Sequence, residues 1–170
     1  MPATVRQELG EPTHAKKWYW DANDADAGGT YENPVWIAVN GISSFTPVVT
    51  AVKKNNSSYA NEGWGSEPVS KRNWGIEATL WRNVDPDDPE EYDRGQEILR
   101  EASDKFGIGA RVDVRYYEME DGGPRKEAYR GYIEVDWKPT GGTDEDWDSV
   151  NVTCGGHGKR NAIDHPEPNS

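Results

Sequence analysis

The order of apolar and polar residues along the chain predicts mainly β-strands. Residues 72–82 alternate strictly, and one face of the predicted strand carries Trp74, Ile76, Ala78 and Leu80. Alternation also predicts strands over 111–118 and 127–138, joined by a turn at 120–124, and a last strand over 147–155. Two earlier runs rich in β-branched and aromatic residues, 35–45 and 47–52, predict further strands.

One segment has helical spacing. Asp88 is a suitable N-cap, Pro89 fits the first helical position, and Glu91 completes a capping box. The apolar stripe that follows consists of Tyr92, Leu99, Ala102 and Phe106. These signals predict a helix over about 89–106 that covers an edge or a face of a sheet. The chain is therefore predicted to be a mainly β protein with one flanking α-helix.

Two long segments lack periodicity. Residues 1–33 are predicted to form an extended N-terminal arm, and 53–71 a long polar loop between strands. The expected organisation is this arm, a β domain over 34–160 and a loose, proline-rich C-terminal segment over 161–170. Such extensions around a modest core are typical of a subunit that contacts copies of itself, and Trp and Tyr are enriched at interface hot spots. For Trp64, an indole folded back onto its own domain is an equally open alternative.

Composition narrows the class of protein. The chain has 170 residues and only 34% are apolar, but eight Trp and eight Tyr argue for an ordered core. A formal net charge of −12 argues against a protein that binds nucleic acid by neutralising phosphates. The sequence has no apolar run long enough for a membrane span, and we expect no secretory signal peptide.

The candidate chemical motifs are weak. The glycine-rich run 154–160 departs from a phosphate-binding loop, and the acidic run 21–29 departs from a calcium-binding loop. Cys154 is the single cysteine, and a buried structural thiol is its expected role. The histidines, none of which has metal-ligand spacing, are His14, His157 and His165. The sequence predicts no enzyme, no catalytic residue, no metal site and no cofactor.

An ordered set of motifs carries a family resemblance. "VWIAVNGISSFTP", a long loop with "EGWGS" and then "KRNWGIEATLWRN" are similar to the siphophage major tail proteins that form the tail tube, particularly those of phages infecting actinobacteria. "GQEILREAS" resembles the single helix of that family, "RVDVRYYE" and "EAYRGYIEVDWKPTGG" its following hairpin, and "VTCGGHGKR" its closing strand. The resemblance covers about 35–166, and its specificity lies in the order of the motifs.

The resemblance implies a tail tube fold of two packed antiparallel sheets, sandwich- or barrel-like, with one flanking helix. It implies hexameric rings that stack into a tube, with a lumen that conducts DNA during ejection. It implies inter-ring contacts for the long loop, here Lys53, Lys54, Tyr59, Trp64 and Glu67. It implies contacts between subunits for the arm, here Trp18, Tyr19 and Trp20. No appended immunoglobulin-like domain is expected.

The same resemblance implies the partners. They are other copies of the chain, a tape measure protein, a tail terminator and baseplate or distal tail proteins. Genomic DNA would pass through the tube without specific binding, and no membrane is involved. The expected location is the virion tail, after assembly in the bacterial host cytoplasm.

Strand parity adds a prediction about the lumen. Four acidic residues fall on polar faces of predicted strands: Glu77, Asp113, Glu134 and Asp136. A weakly attractive or acidic wall would let DNA pass, so we expect several of them to line the channel. Arg115 and Arg130 share those faces.

A second function class is a carbohydrate-binding β-sandwich that stacks sugar rings on Trp and Tyr. Such a module needs several aromatic side chains on one exposed face. Trp74 and Trp137 fall at the same parity as Ile and Val residues of their strands, which favours a core position for both.

Overall fold

The structure is a computed structural model that describes residues 10–12, 18–55, 63–120 and 123–167. The strands are β1 (Trp18–Asn23), β2 (Trp36–Ala38), β3 (Ile42–Lys53), β4 (Val69–Trp81), β5 (Arg111–Glu118), β6 (Ala128–Pro139) and β7 (Ser149–Ala162). The helix α1 spans Arg94–Ser103, and short 3-10 turns lie at Ala25–Ala27 and Gly107–Ala110. Within the described ranges, no helix is long and apolar enough to cross a membrane.

The seven strands form one antiparallel sheet in the order β2-β1-β5-β6-β7-β4-β3. The sheet bends back on itself, as a contact between its two ends shows. Phe45 of the edge strand β3 packs against β1, which lies next to the opposite edge. Its ring lies 6.2 Å from that of Trp18 and 5.4 Å from that of Trp20. The mainly antiparallel β fold with one helix is confirmed, and the two expected sheets are two layers of one continuous sheet.

The core fills the space between these layers. Its largest fully buried side chains include Trp20, Tyr116, Ile76, Leu80, Leu99 and Ile133. In β4 the four residues of the predicted apolar face are all buried, as the alternation requires. Helix α1 adds Ile98, Leu99 and Ala102 and packs on β6, β1 and β5. Burial of apolar surface, which contributes about 25 cal/mol per Å², is the main stabilising contribution here.

The helix is shorter than predicted at both ends. Its N-cap is Asp93, whose carboxylate accepts a hydrogen bond from the Gln96 backbone N–H at 3.3 Å. Asp88 instead closes a turn, since its side chain accepts from the Glu90 N–H. The last helical residue is Ser103, and Phe106 is 94% exposed rather than part of the buried stripe. Asp88 and Asp93 are both suitable N-cap residues, which explains why the predicted start of the helix was wrong.

A fully buried glutamine ties α1 to the sheet. The Gln96 side-chain amide donates to the backbone carbonyl of Asn40 at 2.8 Å and to that of Trp81 at 2.7 Å. These two carbonyls lie in the β2–β3 turn and at the end of β4. Gly41 allows the turn because its φ is +78°, a conformation that side-chain-bearing residues rarely adopt.

Trp74 of β4 lies over Gly156 of the adjacent strand β7 and over Gly131 of the next strand, β6. A Cβ at Gly131 or at Gly156 would overlap the indole, and the indole N–H donates to the Gly158 carbonyl at 2.9 Å. Gly158, with φ +78°, sits in an irregularity where β7 bulges opposite β6. The glycine-rich run is therefore part of strand β7, which extends to Ala162 instead of ending at 155.

Part of the predicted arm belongs to the sheet. Strand β1 pairs with β2 and β5, and Trp18 and Trp20 are buried in the core of their own chain. This corrects the prediction that these two indoles contact a neighbouring subunit. Tyr19 points to the other side of β1, where its ring lies 5.3 Å from that of Tyr117.

The described end of the chain also packs on the sheet, contrary to the expectation of a loose segment. The buried His165 accepts from the Glu167 backbone N–H through Nδ1, so Nε2 donates to the Glu118 carbonyl at 2.8 Å. Its ring lies 5.2 Å from the Tyr117 ring in a T-shaped arrangement.

Candidate functional site: surfaces for self-assembly

The face of the sheet opposite the core, here called the outer face, carries an acidic row. The register places Thr46, Glu77, Thr153 and Asp136 side by side across β3, β4, β7 and β6. Glu134 lies two residues away on β6, on the same face, 3.9 Å from the Arg111 guanidinium. Asp136 is 3.3 Å from the Lys138 ammonium. Glu77, Glu134 and Asp136 are exposed and share one face, and their position in a channel stays a prediction.

The prediction that Asp113 is an exposed residue of the channel is wrong. Asp113 is buried, and its carboxylate forms two hydrogen bonds with Arg130, at 3.1 and 2.6 Å, and one with Asn23. The hydrogen bond from Arg130 to Asp113 raises the pKa of the arginine, which stays charged. A buried carboxylate is stable as an ion only when paired in this way.

A second, partly buried ion pair continues this layer. Arg115 donates to Asp21 at 2.8 Å, and its guanidinium lies 4.6 Å from the Trp36 ring centroid. Tyr117 also donates to Asp21, and burial, followed by the negative charge of Asp21, raises the pKa of Tyr117 to about 12. Side chains near β2 therefore cover the outer face of β5, while the face formed by β6, β7, β4 and β3 stays open.

The hairpin of β3 and β4 projects beyond the rest of the sheet. β3 pairs with β4 as far as Lys53 and Val69, whereas β7 pairs with β4 only from Gly75 onward. The predicted loop residues Lys53, Lys54 and Glu67 are exposed, and Tyr59 lies outside the described residues. Trp64 is 80% exposed, so its indole does not pack on the described part of its own domain. Its contact with a neighbouring ring stays a prediction.

Three exposed apolar side chains were not anticipated. Phe106 precedes the 3-10 turn after α1 and Ile108 lies within it, and they are 94% and 81% exposed. Trp147 is 84% exposed in the β6–β7 loop, although the alternation of 147–155 suggested a strand position. The sequence did carry a signal for Trp147, because four acidic residues surround it within 144–148. Trp81, 45% exposed, points away from the core, as its parity predicted.

The described residues contain no group of three or more His, Cys, Asp or Glu side chains that could hold a metal ion. Burial raises the pKa of the Cys154 thiol, which disfavours the reactive thiolate. Arg94, the first residue of α1, forms an ion pair with Asp24 at 2.9 Å, and that hydrogen bond lowers the pKa of Asp24.

The sequence matches no family model and no curated protein. Solved structures do match. A chain of the SPP1 tail tube, from solid-state NMR and cryo-EM, is 12% identical with a TM-score of 0.59, covering 89% of this chain and 80% of that chain. A chain from the tail of an empty GTA particle, refined helically with C6 symmetry, is 12% identical with a TM-score of 0.54, covering 85% and 95%.

A chain from the virion of a native gene transfer agent particle is 11% identical with a TM-score of 0.52, and covers 85% of this chain and 95% of that chain. Identities this low establish a likeness of fold. The chain thus has the fold of these tail chains, one of them from a tail tube.

Proposed function

We propose that this chain is a structural, non-catalytic subunit of a bacteriophage tail tube, which assembles into stacked hexameric rings whose lumen conducts DNA during ejection. The observation that carries the proposal is the likeness of fold to chains of tails and tail tubes over 85–89% of the chain. The C6 symmetry of one of these tails supports six copies per ring.

The sheet edges suit such an assembly. β3, with 12 residues, and β2, with 3, end the sheet and have no neighbouring strand on one side within the described chain. Free strand edges pair readily with another chain, because their backbone N–H and C=O groups need partners. Edge-to-edge contact between copies would join the β3 end of one sheet to the next subunit and close a ring.

The open outer face of β6, β7, β4 and β3 would then line the lumen. Glu77, Glu134 and Asp136 would oppose adhesion of the DNA phosphates, because like charges within a Debye length of about 8–10 Å repel each other. The nearby Lys138 and Arg111 moderate this field, so the wall repels DNA weakly.

The extensions would make the remaining contacts. The projecting hairpin and Trp64 would reach the adjacent ring, with Lys53, Lys54 and Glu67 beside them. Tyr19 is the residue of the predicted arm cluster that still has a side chain partly accessible to a neighbour. The expected partners in the virion are a tape measure protein, a tail terminator and distal tail proteins.

The sugar-binding alternative gains no support from the strand tryptophans. Trp74 is buried and Trp137 packs against the core, so neither is available to a stacking platform.

Negative-stain microscopy of the purified protein tests the proposal. We expect rings or tubes with a central hole as the concentration rises. A protein that stays strictly monomeric at high concentration, and that binds oligosaccharide, would contradict it.

A further inference from the structure

A groove opens on the outer face beside Glu134, whose carboxylate lies 3.9 Å from Arg111 in the groove lining. It lies between the turn after α1 and the bulge of β7 and has a volume of about 670 Å³. Its lining includes Tyr132, Ile108, Arg111, His157 and Lys159. Ile108 is 81% exposed and Tyr132 is partly exposed, so apolar and aromatic surface in this groove faces solvent.

The groove is cationic, although the chain as a whole carries a net charge of −12. Arg111 has a buried Nε atom without a hydrogen-bond partner among the described residues, and the Glu134 carboxylate lies 3.9 Å from it. Lys159 is exposed on the rim. The rings of Tyr31 and Tyr132 stack with centroids 6.1 Å apart, which gives one wall a firm aromatic surface. The groove therefore suits an apolar or aromatic group flanked by carboxylates.

A loop of the same chain has that chemistry. The β6–β7 loop holds the 84% exposed Trp147, and its acidic residues are Asp144, Glu145, Asp146 and Asp148. The Asp146 carboxylate accepts from the Thr143 backbone N–H at 2.9 Å, and the Asp146 N–H donates to the Thr143 carbonyl. These hydrogen bonds fix the turn, so the loop would lose little conformational entropy on docking.

We infer that the β6–β7 loop of one copy docks in the outer-face groove of a second copy, with Trp147 against Tyr132 and Ile108. The loop carboxylates then face Arg111 and Lys159, which gives the contact its orientation. This inference rests on the proposed self-assembly. The loop and the groove are different surfaces, so the contact fits a head-to-tail repeat around a ring or along a filament.

The charge pattern favours this loop over the β3–β4 loop as the occupant. In that loop, Trp64 is accompanied by two carboxylates, Glu62 and Glu67. Trp147 is accompanied by four within 144–148. The groove has two cationic side chains, so its charge complementarity is greater with the β6–β7 loop than with the β3–β4 loop.

Disulfide trapping between two variants tests the inference. One protein carries Glu145→Cys, which keeps Trp147, and the other, labelled with a mass tag, carries His157→Cys. The native Cys154 is buried and contributes little background. After joint assembly and mild oxidation, we expect a disulfide dimer with one copy of each variant. The matched control is Glu90→Cys, an exposed acidic loop residue away from the groove, mixed with the same His157→Cys protein.

The outcomes separate the two proposals. Tubes in negative stain without a mixed disulfide above the control would overturn the docking inference and leave the tail tube proposal standing. A wild-type chain that never assembles would contradict both. If a cysteine variant does not assemble while the wild type does, charge reversal decides the question. Glu145→Lys and Lys159→Glu should each raise the concentration needed for assembly by about tenfold, and the double variant should restore it. A double variant that assembles no better than either single one overturns the inference.

Discussion

The packing of Trp74 against Gly156 gives a specific prediction about stability. In Gly156→Ala, the new Cβ would overlap the indole atoms Cε2, Nε1 and Cδ2 of Trp74. The backbone of β7 is paired with β6 at Gly156 and with β4 at the preceding Gly155, so the indole has to move. Movement breaks its hydrogen bond to the Gly158 carbonyl.

The size of the effect follows from three contributions. Overpacking of a core position costs about 1–3 kcal/mol, and the lost hydrogen bond about 1 kcal/mol. The reduced entropy of the unfolded chain returns about 0.5 kcal/mol on replacing glycine by alanine. The net loss for Gly156→Ala is therefore about 1.5–3.5 kcal/mol. At this chain length that lowers Tm by roughly 3–14 °C.

Urea denaturation followed by circular dichroism measures this loss. The matched control is Gly155→Ala, one residue earlier in the same strand, where a Cβ meets nothing within 4 Å. We expect the control to be neutral or slightly stabilised. In a Trp74→Leu background, Gly156→Ala should cost much less than in the wild type. Equal losses for Gly155→Ala and Gly156→Ala would refute the reasoning.

Three other predictions concern single side chains. Trp64→Ala should change the free energy of unfolding by less than about 0.5 kcal/mol but weaken tube formation by about tenfold, as seen by denaturation and sedimentation; equal loss of both would indicate a core indole. Gln96→Leu removes the side-chain donor to the Asn40 and Trp81 carbonyls and should cost about 2–4 kcal/mol in urea denaturation, whereas an unchanged midpoint would contradict these hydrogen bonds. The unfolded chain releases the Tyr117 proton near its ordinary pKa of 10.0, while the folded chain holds it to about 12, so stability should fall as pH rises between these values. Tyr117→Phe should make that fall shallower in denaturation curves recorded from pH 9 to 12, and an identical slope would contradict the role given to burial and to Asp21.

Much of the fold follows from local alternation. In β4, β5 and β6 each buried face is set by residues two apart, so the sequence predicted which side chains point inward. The outward position of Glu77, Glu134 and Asp136 follows from the same rule. These assignments need no knowledge of which strands are neighbours.

Features that depend on distant partners were missed. Strand β1 is six residues long and its partner β5 is more than 90 residues away, so nothing local marks Trp18–Asn23 as a strand of the sheet. Asp113 looks solvent-facing by parity, and its burial depends on Arg130 and Asn23, which lie on other strands. The exposure of Trp147 depends on the loop that holds it, since an indole alone suggests burial.

The most direct test of the account is a cryo-EM reconstruction of the assembled protein. We predict stacked sixfold rings around a channel, with Glu77, Glu134 and Asp136 facing that channel. A tube with these three carboxylates on its exterior would contradict the assignment of the outer face to the lumen, and a protein that forms no tube would contradict the proposed function itself.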